Sequence, residues 1–341
     1  MDKEHFLSPD TFEEYYKPVF NKTRNYKLRE VIQFLIVLPF ELALSENSII
    51  SFLEENEIYC FSFCRQEKET SYSAGGKVDS KIPYYVTCVE MSLFTEKVYF
   101  LNEKLRSVIF DSMLKYLNYV IISYLIKTKQ VDVYKISREM LEPSSLSRHL
   151  MIPEFKIKDE ILFFLHLNLV TQKELIDMDK QGEIVQFTNV IKDQINPFIL
   201  SEELMMSARR NIQLGFYKET IINAQTSIET LLRTLYMELL KIEGIPVEEI
   251  EKKQKVVGFI TMVKKEFSTR IGGSWDVTNT RKEVGNWHEN CYELRNRIIH
   301  GGYQPDYSET IMGIHSAQKL REYVVERLKR TPKFKVLTDY L

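Results

Sequence analysis

The feature that most constrains this chain is a run of helical periodicity that begins after Pro197 and continues to the C-terminus. Apolar residues recur at three- and four-residue spacing through 202–214, 217–243, 252–267, 281–300 and 308–330, and strand-like alternation is scarce. Gly215, Gly244 with Pro246, Gly272-Gly273, and Gly301-Gly302 with Pro305 separate these stretches. Glycine ends a helix readily and proline cannot continue one. Ser201, followed by Glu202 and Glu203, supplies an N-cap and early acids. Short connections between such helices predict an up-and-down, all-α bundle of about five helices over 199–341. The 268–280 loop, with Gly272, Gly273 and Trp275, is its one long insertion.

Residues 1–198 differ in kind. Residues 1–30 are polar and aromatic, and Pro9 and Pro18 predict an irregular course. Phe34–Leu38 and Phe40–Leu44 read as strands on either side of Pro39, which suits an edge or a bulge. Residues 49–55 fit a short helix or a strand equally. Ile58–Cys64 and Tyr84–Phe94 read as strands, joined by a long polar hairpin loop over 65–81 that contains Gly75-Gly76. From Asn102 to Lys127 a stripe of Leu105, Val108, Ile109, Met113, Leu117, Val120, Ile121 and Tyr124 predicts a helix. Val131–Arg138 reads as a strand and Glu139–Leu146 as a turn, while 155–200 should hold both strand and helix. The fold class expected is therefore an α+β module over 1–198, of a sensing or regulatory kind, followed by the helical domain. No nucleotide loop or acidic metal cluster is legible in the first module, and the Gly75-Gly76 pair matches no phosphate-binding pattern.

With 44% apolar and 12% aromatic residues the chain can bury a sizeable core. A net charge of -2 excludes a polybasic nucleic-acid coat. The balance is uneven, net -5 over 1–200 and net +3 over 201–341, a small asymmetry. Cys60, Cys64, Cys88 and Cys291 form no disulfide framework for a chain this long. Cys60 and Cys64 would share a strand face, but without a CxxC pair or a nearby His cluster reduced thiols are expected, not a metal site. The N-terminus lacks the apolar core of a signal peptide. The apolar runs 31–44 and 116–126 are interrupted or too short to span a bilayer. A cytoplasmic protein with no membrane partner is the expectation.

The chemistry-bearing stretch is 293–303, Glu-Leu-Arg-Asn-Arg-Ile-Ile-His-Gly-Gly-Tyr. Tyr292, Leu294, Ile298 and Ile299 are apolar at helical spacing, and Gly301-Gly302 stops the helix. Asn296 and His300 are four apart and share a face. Arg295 and His300 are about 140° apart around the axis and roughly 7.5 Å along it, so one helix does not bring their heads together. A second, antiparallel copy would place two Arg, two Asn and two His around one cleft.

Arg295-Asn296-x-x-x-His300 followed by glycine, at the end of the penultimate helix of an all-helical domain, resembles the Arg-x4-6-His motif of the HEPN superfamily. The resemblance covers about residues 201–335. It implies a HEPN-like bundle that forms a homodimer and acts as a metal-independent endoribonuclease without a cofactor. RNA would be left with 2′,3′-cyclic phosphate and 5′-hydroxyl ends. It further implies a stress or antiviral-defence effector, quiet until a ligand or protein acts at the first module. Arg295, Asn296 and His300 then take the catalytic roles. Glu229 sits where family members often carry an acidic or polar residue on the second helix, in support of Arg295 or His300. Tyr303 departs from one branch, whose motif ends His-x-Tyr with a modified tyrosine; His300-Gly301-Gly302-Tyr303 is one residue longer.

The residue types suit that chemistry. Histidine can take the 2′-hydroxyl proton or protonate the 5′-oxygen near neutral pH. Arginine offers a permanent planar cation to phosphate, and asparagine can orient an imidazole or bind the phosphate. Arg297, outside the motif, is expected to contact RNA backbone or to serve the fold. Plainer readings exist for each: His300 as a helix-end cap, Arg295 and Arg297 paired with Glu289, Glu293 or neighbouring helices, and Glu229 exposed. His288 and His315 are expected at the surface or in packing. The basic tail from Lys319 to Lys335 is expected as a solvated face, with an RNA-backbone track as the sharper reading. The alternative function is a non-catalytic HEPN scaffold that binds RNA or nucleotide or mediates dimerisation. A third is an interaction protein whose first module binds a partner protein.

Overall fold

The structure, a computed structural model, describes residues 10, 12–45, 48–74, 77–167, 177–193 and 195–341. Gly75-Gly76 and the middle of 155–200 lie outside the described residues. The chain divides into two compact units, Met1–Val170 and Thr171–Leu341. The first is α+β and the second is all-helical among the described residues.

In the first unit a π-helical turn, Phe12–Tyr16, leads into helix α1, Lys17–Thr23, so this segment is helical where an irregular course was expected. Pro18 sits in the first turn, where its missing N–H costs nothing. A six-stranded antiparallel sheet follows: β1 Glu30–Val37, β2 Ser48–Leu53, β3 Glu57–Ala74, β4 Lys77–Thr95, β5 Ser144–Met151 and β6 Lys156–Phe164. Their spatial order is β2-β3-β4-β1-β5-β6. Strand β1 is interior, and every residue in it is buried because both faces of the sheet are covered there. It ends before Pro39, so the proline lies past the strand and not at an edge or bulge within it. Residues 40–44 leave the sheet, although Phe40 and Leu42 stay buried and Leu42 N–H bonds the Thr87 hydroxyl at 2.7 Å.

Helix α2, Glu103–Thr128, is capped by Asn102, whose side chain accepts the Leu105 N–H at 2.8 Å. By length and composition it could cross a membrane, but Ile109, Phe110, Met113, Leu117 and Ile121 pack into one core with Ile32, Phe34, Phe61, Met91 and Leu93 of the sheet. Phe12, Tyr16 and Phe20 cover Val31, Ile58, Cys60 and Phe94 in a second cluster. The polar stretch expected as a hairpin loop over 65–81 is instead mostly paired strand, with β3 and β4 paired from Glu57 opposite Thr95 to Ala74 opposite Lys77 and one register shift between Tyr72 and Ser73. Backbone ladders do not require apolar side chains, and Lys81 pairs with Glu69 at 2.9 Å while Arg65 stacks 3.4 Å over Tyr85. Residues 131–138 form no strand; Asn118 of α2 holds them, its amide bonding the Ile136 C=O and N–H at 2.8 Å each. A short 3-10 turn, Arg138–Met140, then leads to β5.

The second unit contains α3 Met178–Lys192, α4 Ile199–Gln213, α5 Tyr217–Ile242, α6 Val247–Val256 and α7 Phe259–Ile271. Then come α8 Glu283–Trp287, a π-helical turn His288–Tyr292, α9 Glu293–Gly301, α10 Tyr307–Lys329 and a 3-10 tail Pro332–Tyr340. The stretch expected as one helix over 252–267 is two, parted at Gly258, whose extended ψ of 145° opens α7. Ser201 does not cap α4, which starts two residues earlier; buried, it exchanges hydrogen bonds with Ser227 of α5. One continuous core runs through Leu231, Leu235, Leu239, Val263, Phe267, Trp287, Cys291, Leu320 and Val324. Gly313 lets α10 approach α5 and the π turn, since a Cβ there would lie 2.4 Å from Ile221 Cδ1 and 2.9 Å from the Asn290 carbonyl oxygen.

Candidate active site on the helix of Arg295 and His300

Residues 283–301 run as one helix with the π turn set into it. Such a turn admits one extra residue and shifts the faces that follow. His288 and Tyr292 stack face to face, centroids 5.1 Å apart and rings 19° from parallel. Burial lowers the His288 pKa, with Glu293 opposing it at 3.5 Å. Past the turn, Leu294 and Ile298 point into a small cluster with Ile221, while Ile299 is 48% exposed. The helix ends at Gly302, whose φ of 63° is the left-handed conformation glycine tolerates. The N–H groups of Gly302 and Tyr303 return to the Ile298 and Arg297 carbonyls at 3.2 Å each.

Around this frame the candidate residues take distinct positions. Arg295 is half-buried and donates from Nη1 to Asn296 Oδ1 at 3.3 Å. Its Nε is buried and finds no hydrogen-bond partner among the described residues. His300 is exposed in the last turn, and no bond joins it to Arg295 among the described residues. Arg297 turns to the next loop, 3.4 Å from Glu309 and 4.4 Å from the centre of the Tyr303 ring. The Tyr303 hydroxyl donates to both Glu309 carboxylate oxygens at 2.8 and 3.0 Å, and that contact raises its pKa. Glu309 also closes the capping box of α10 with Asp306. Glu229 is tied to Arg233 at 2.9 Å, one turn along α5, with no bond to Arg295 or His300. His315 lies on α10 and His288 in the aromatic stack.

The arrangement offers a cation with an open donor, an amide beside it, and, in the last turn of the same helix, a solvent-facing imidazole. Two further features are not legible in the sequence. The π turn has no simple compositional signal, and the Tyr303–Glu309 contact spans a loop. No family model matches the chain, and neither a curated protein nor a solved structure matches it.

Proposed function

We propose that this protein is a HEPN-type, metal-independent endoribonuclease that works as a homodimer. The observation that carries the reading is that Arg295, Asn296 and His300 lie on one short helix, with Arg295 bonded to Asn296, its Nε unspent, and His300 open to solvent. In the proposed reaction the RNA 2′-oxygen attacks the adjacent phosphorus, giving its proton to one imidazole. The bond from phosphorus to the 5′-oxygen breaks, and a second imidazole protonates that leaving oxygen. His300 and the partner's His300 fill the two roles, which one helix cannot supply alone. Arg295 stabilises the charge that develops on the phosphorane, and Asn296 holds Arg295 in place. The product is a 2′,3′-cyclic phosphate and a 5′-hydroxyl end. The cell context proposed is a cytoplasmic stress or defence effector whose first unit receives a trigger.

The non-catalytic scaffold reading draws on the separation of Arg295 from His300 within one protomer and on the engagement of Glu229 with Arg233. Incubating purified protein with mixed RNA in EDTA, beside His300→Ala and Arg295→Ala, decides between them. Cyclic-phosphate ends that vanish in both variants support the ribonuclease. RNA bound tightly with no cleavage, or equal cleavage by wild type and variants, overturns it.

A further inference from the structure

Strands β3 and β4 set two thiols opposite one another. In their antiparallel register Cys64 lies directly opposite Cys88, and neither thiol is in a disulfide. Thr87 directs its N–H and C=O away from β3, to Phe40 and Leu38. By alternation Cys88 turns its own backbone groups toward Cys64. Directly opposed residues in antiparallel strands have Cα atoms roughly 4.5–5.5 Å apart, and disulfides bridge about 4.4–6.8 Å. A hydrogen-bonded pair of this kind sits at the wider end of that range, within reach of a disulfide by its Cα spacing, and the bond closes once the two Cβ atoms, about 5 Å apart, are drawn together by roughly 1 Å. Cys60 lies on the same face of β3 but four residues away, roughly 13 Å along the strand, and is out of reach. The Ser51 hydroxyl donates to the Cys60 sulfur at 3.3 Å.

We propose that Cys64 and Cys88 are a reversible oxidation site, closing to an intramolecular disulfide by exchange with a low-molecular-weight disulfide such as oxidised glutathione. Cys64 is the entry point, since it is partly exposed while Cys88 is 4% exposed. The Cys64 thiolate attacks one sulfur of the small disulfide, the sulfur–sulfur bond breaks, and one thiol leaves. Cys88 then loses its proton to solvent and attacks the Cys64 sulfur of the mixed disulfide, releasing the second thiol. Two protein thiols are oxidised to one disulfide, and one small disulfide is reduced to two thiols. The hydrogen bond with Cys64 and then burial raise the Cys88 pKa, so its thiolate is scarce at neutral pH and the second step accelerates as pH rises. The new bond ties the root of the long β3–β4 arm, where the paired strands leave the core and become polar.

The test treats the full chain with oxidised glutathione, maps unreduced peptides by mass spectrometry, and compares about pH 7 with about pH 8.5. Expected is a single cross-link between the Cys64 and Cys88 peptides, with the mass of two hydrogens lost, reversed by dithiothreitol and faster at the higher pH. Cys88→Ser should stop at a glutathione adduct on Cys64, and Cys64→Ser should show no cross-link. A lasting adduct on Cys64 in the wild type, a link to Cys60, or both thiols left unmodified overturns the proposal. Mapping the wild-type chain decides the matter even where a variant fails to fold.

Discussion

Arg295 and Asn296, neighbours on α9, are coupled side chain to side chain: Nη1 donates to Oδ1 at 3.3 Å, and the Arg295 Nε stays buried without a partner. A buried donor left unpaired is costly, and a site that keeps one holds a group ready for an incoming acceptor. A phosphate oxygen is such an acceptor. The amide of Asn296 thereby positions the cation that would meet it.

If the proposed reaction holds, Arg295→Ala should lower kcat/KM on an RNA oligonucleotide by about 10²–10³-fold, the usual effect of removing a charge-stabilising donor. Asn296→Ala should cost less, and the double variant should lose less than the product of the two single effects, because Asn296 acts through Arg295. Steady-state kinetics on all three variants reads this directly.

The buried Glu30 sets the pH response of the first unit. It accepts from His149 at 2.9 Å, Lys158 at 2.5 Å and the Tyr99 N–H at 2.8 Å. Burial by itself raises its pKa, but these three donors outweigh burial and hold the carboxyl below its ordinary value. Burial lowers the His149 pKa against the pull of Glu30. Both groups have folded pKa values below their unfolded ones, so both contribute stability above the unfolded pKa and lose it as pH falls. The His149 part should fade below about pH 6.5 and the Glu30 part below about pH 4.5. Thermal melts across that range should show falling stability with acid, and His149→Gln should flatten the upper limb by removing the titrating imidazole.

Replacing Gly313 should loosen the second unit. A methyl group there meets Ile221 and the Asn290 carbonyl at distances no real Cβ accepts. Gly313→Ala is expected to cost about 1–3 kcal/mol through overpacking, measured by denaturant unfolding. Gly301→Ala, with open space around its Cβ position, is the control and should change stability little.

Asn118 stands in for a strand partner to Ile136. Asn118→Ala leaves a buried N–H and C=O unpaired, at an expected cost of about 1–3 kcal/mol each. Faster amide exchange at Ile136 than in the wild type would be the specific signature, and unchanged exchange would speak against this role.

Much of the fold was legible because local chemistry agreed with the tertiary outcome. The α2 stripe and its Asn102 cap, the strand at Ile58–Cys64, and the stop at Gly302 are encoded within a few residues each. Other elements depended on distant partners. The 65–81 stretch looked like loop because it is polar, yet pairing along β3 and β4 satisfies its backbone regardless of side-chain polarity. Residues 131–138 looked like strand because Val133 and Ile136 are apolar, yet Asn118 took the hydrogen bonds a neighbouring strand would have made. Ser201 looked like a cap and instead knots α4 to α5 through Ser227.

The sequence by itself determined which side chains could carry chemistry: Arg295, Asn296 and His300, their spacing, and the glycine that ends their helix. Only the tertiary structure decided which partners such groups meet. It coupled Arg295 to Asn296, committed Glu229 to Arg233, drew Arg297 to Glu309, and set Cys64 against Cys88. The reason is physical. Helical periodicity and capping act over a few residues, whereas the choice of partner for a long polar side chain is made by whichever group another element brings within reach.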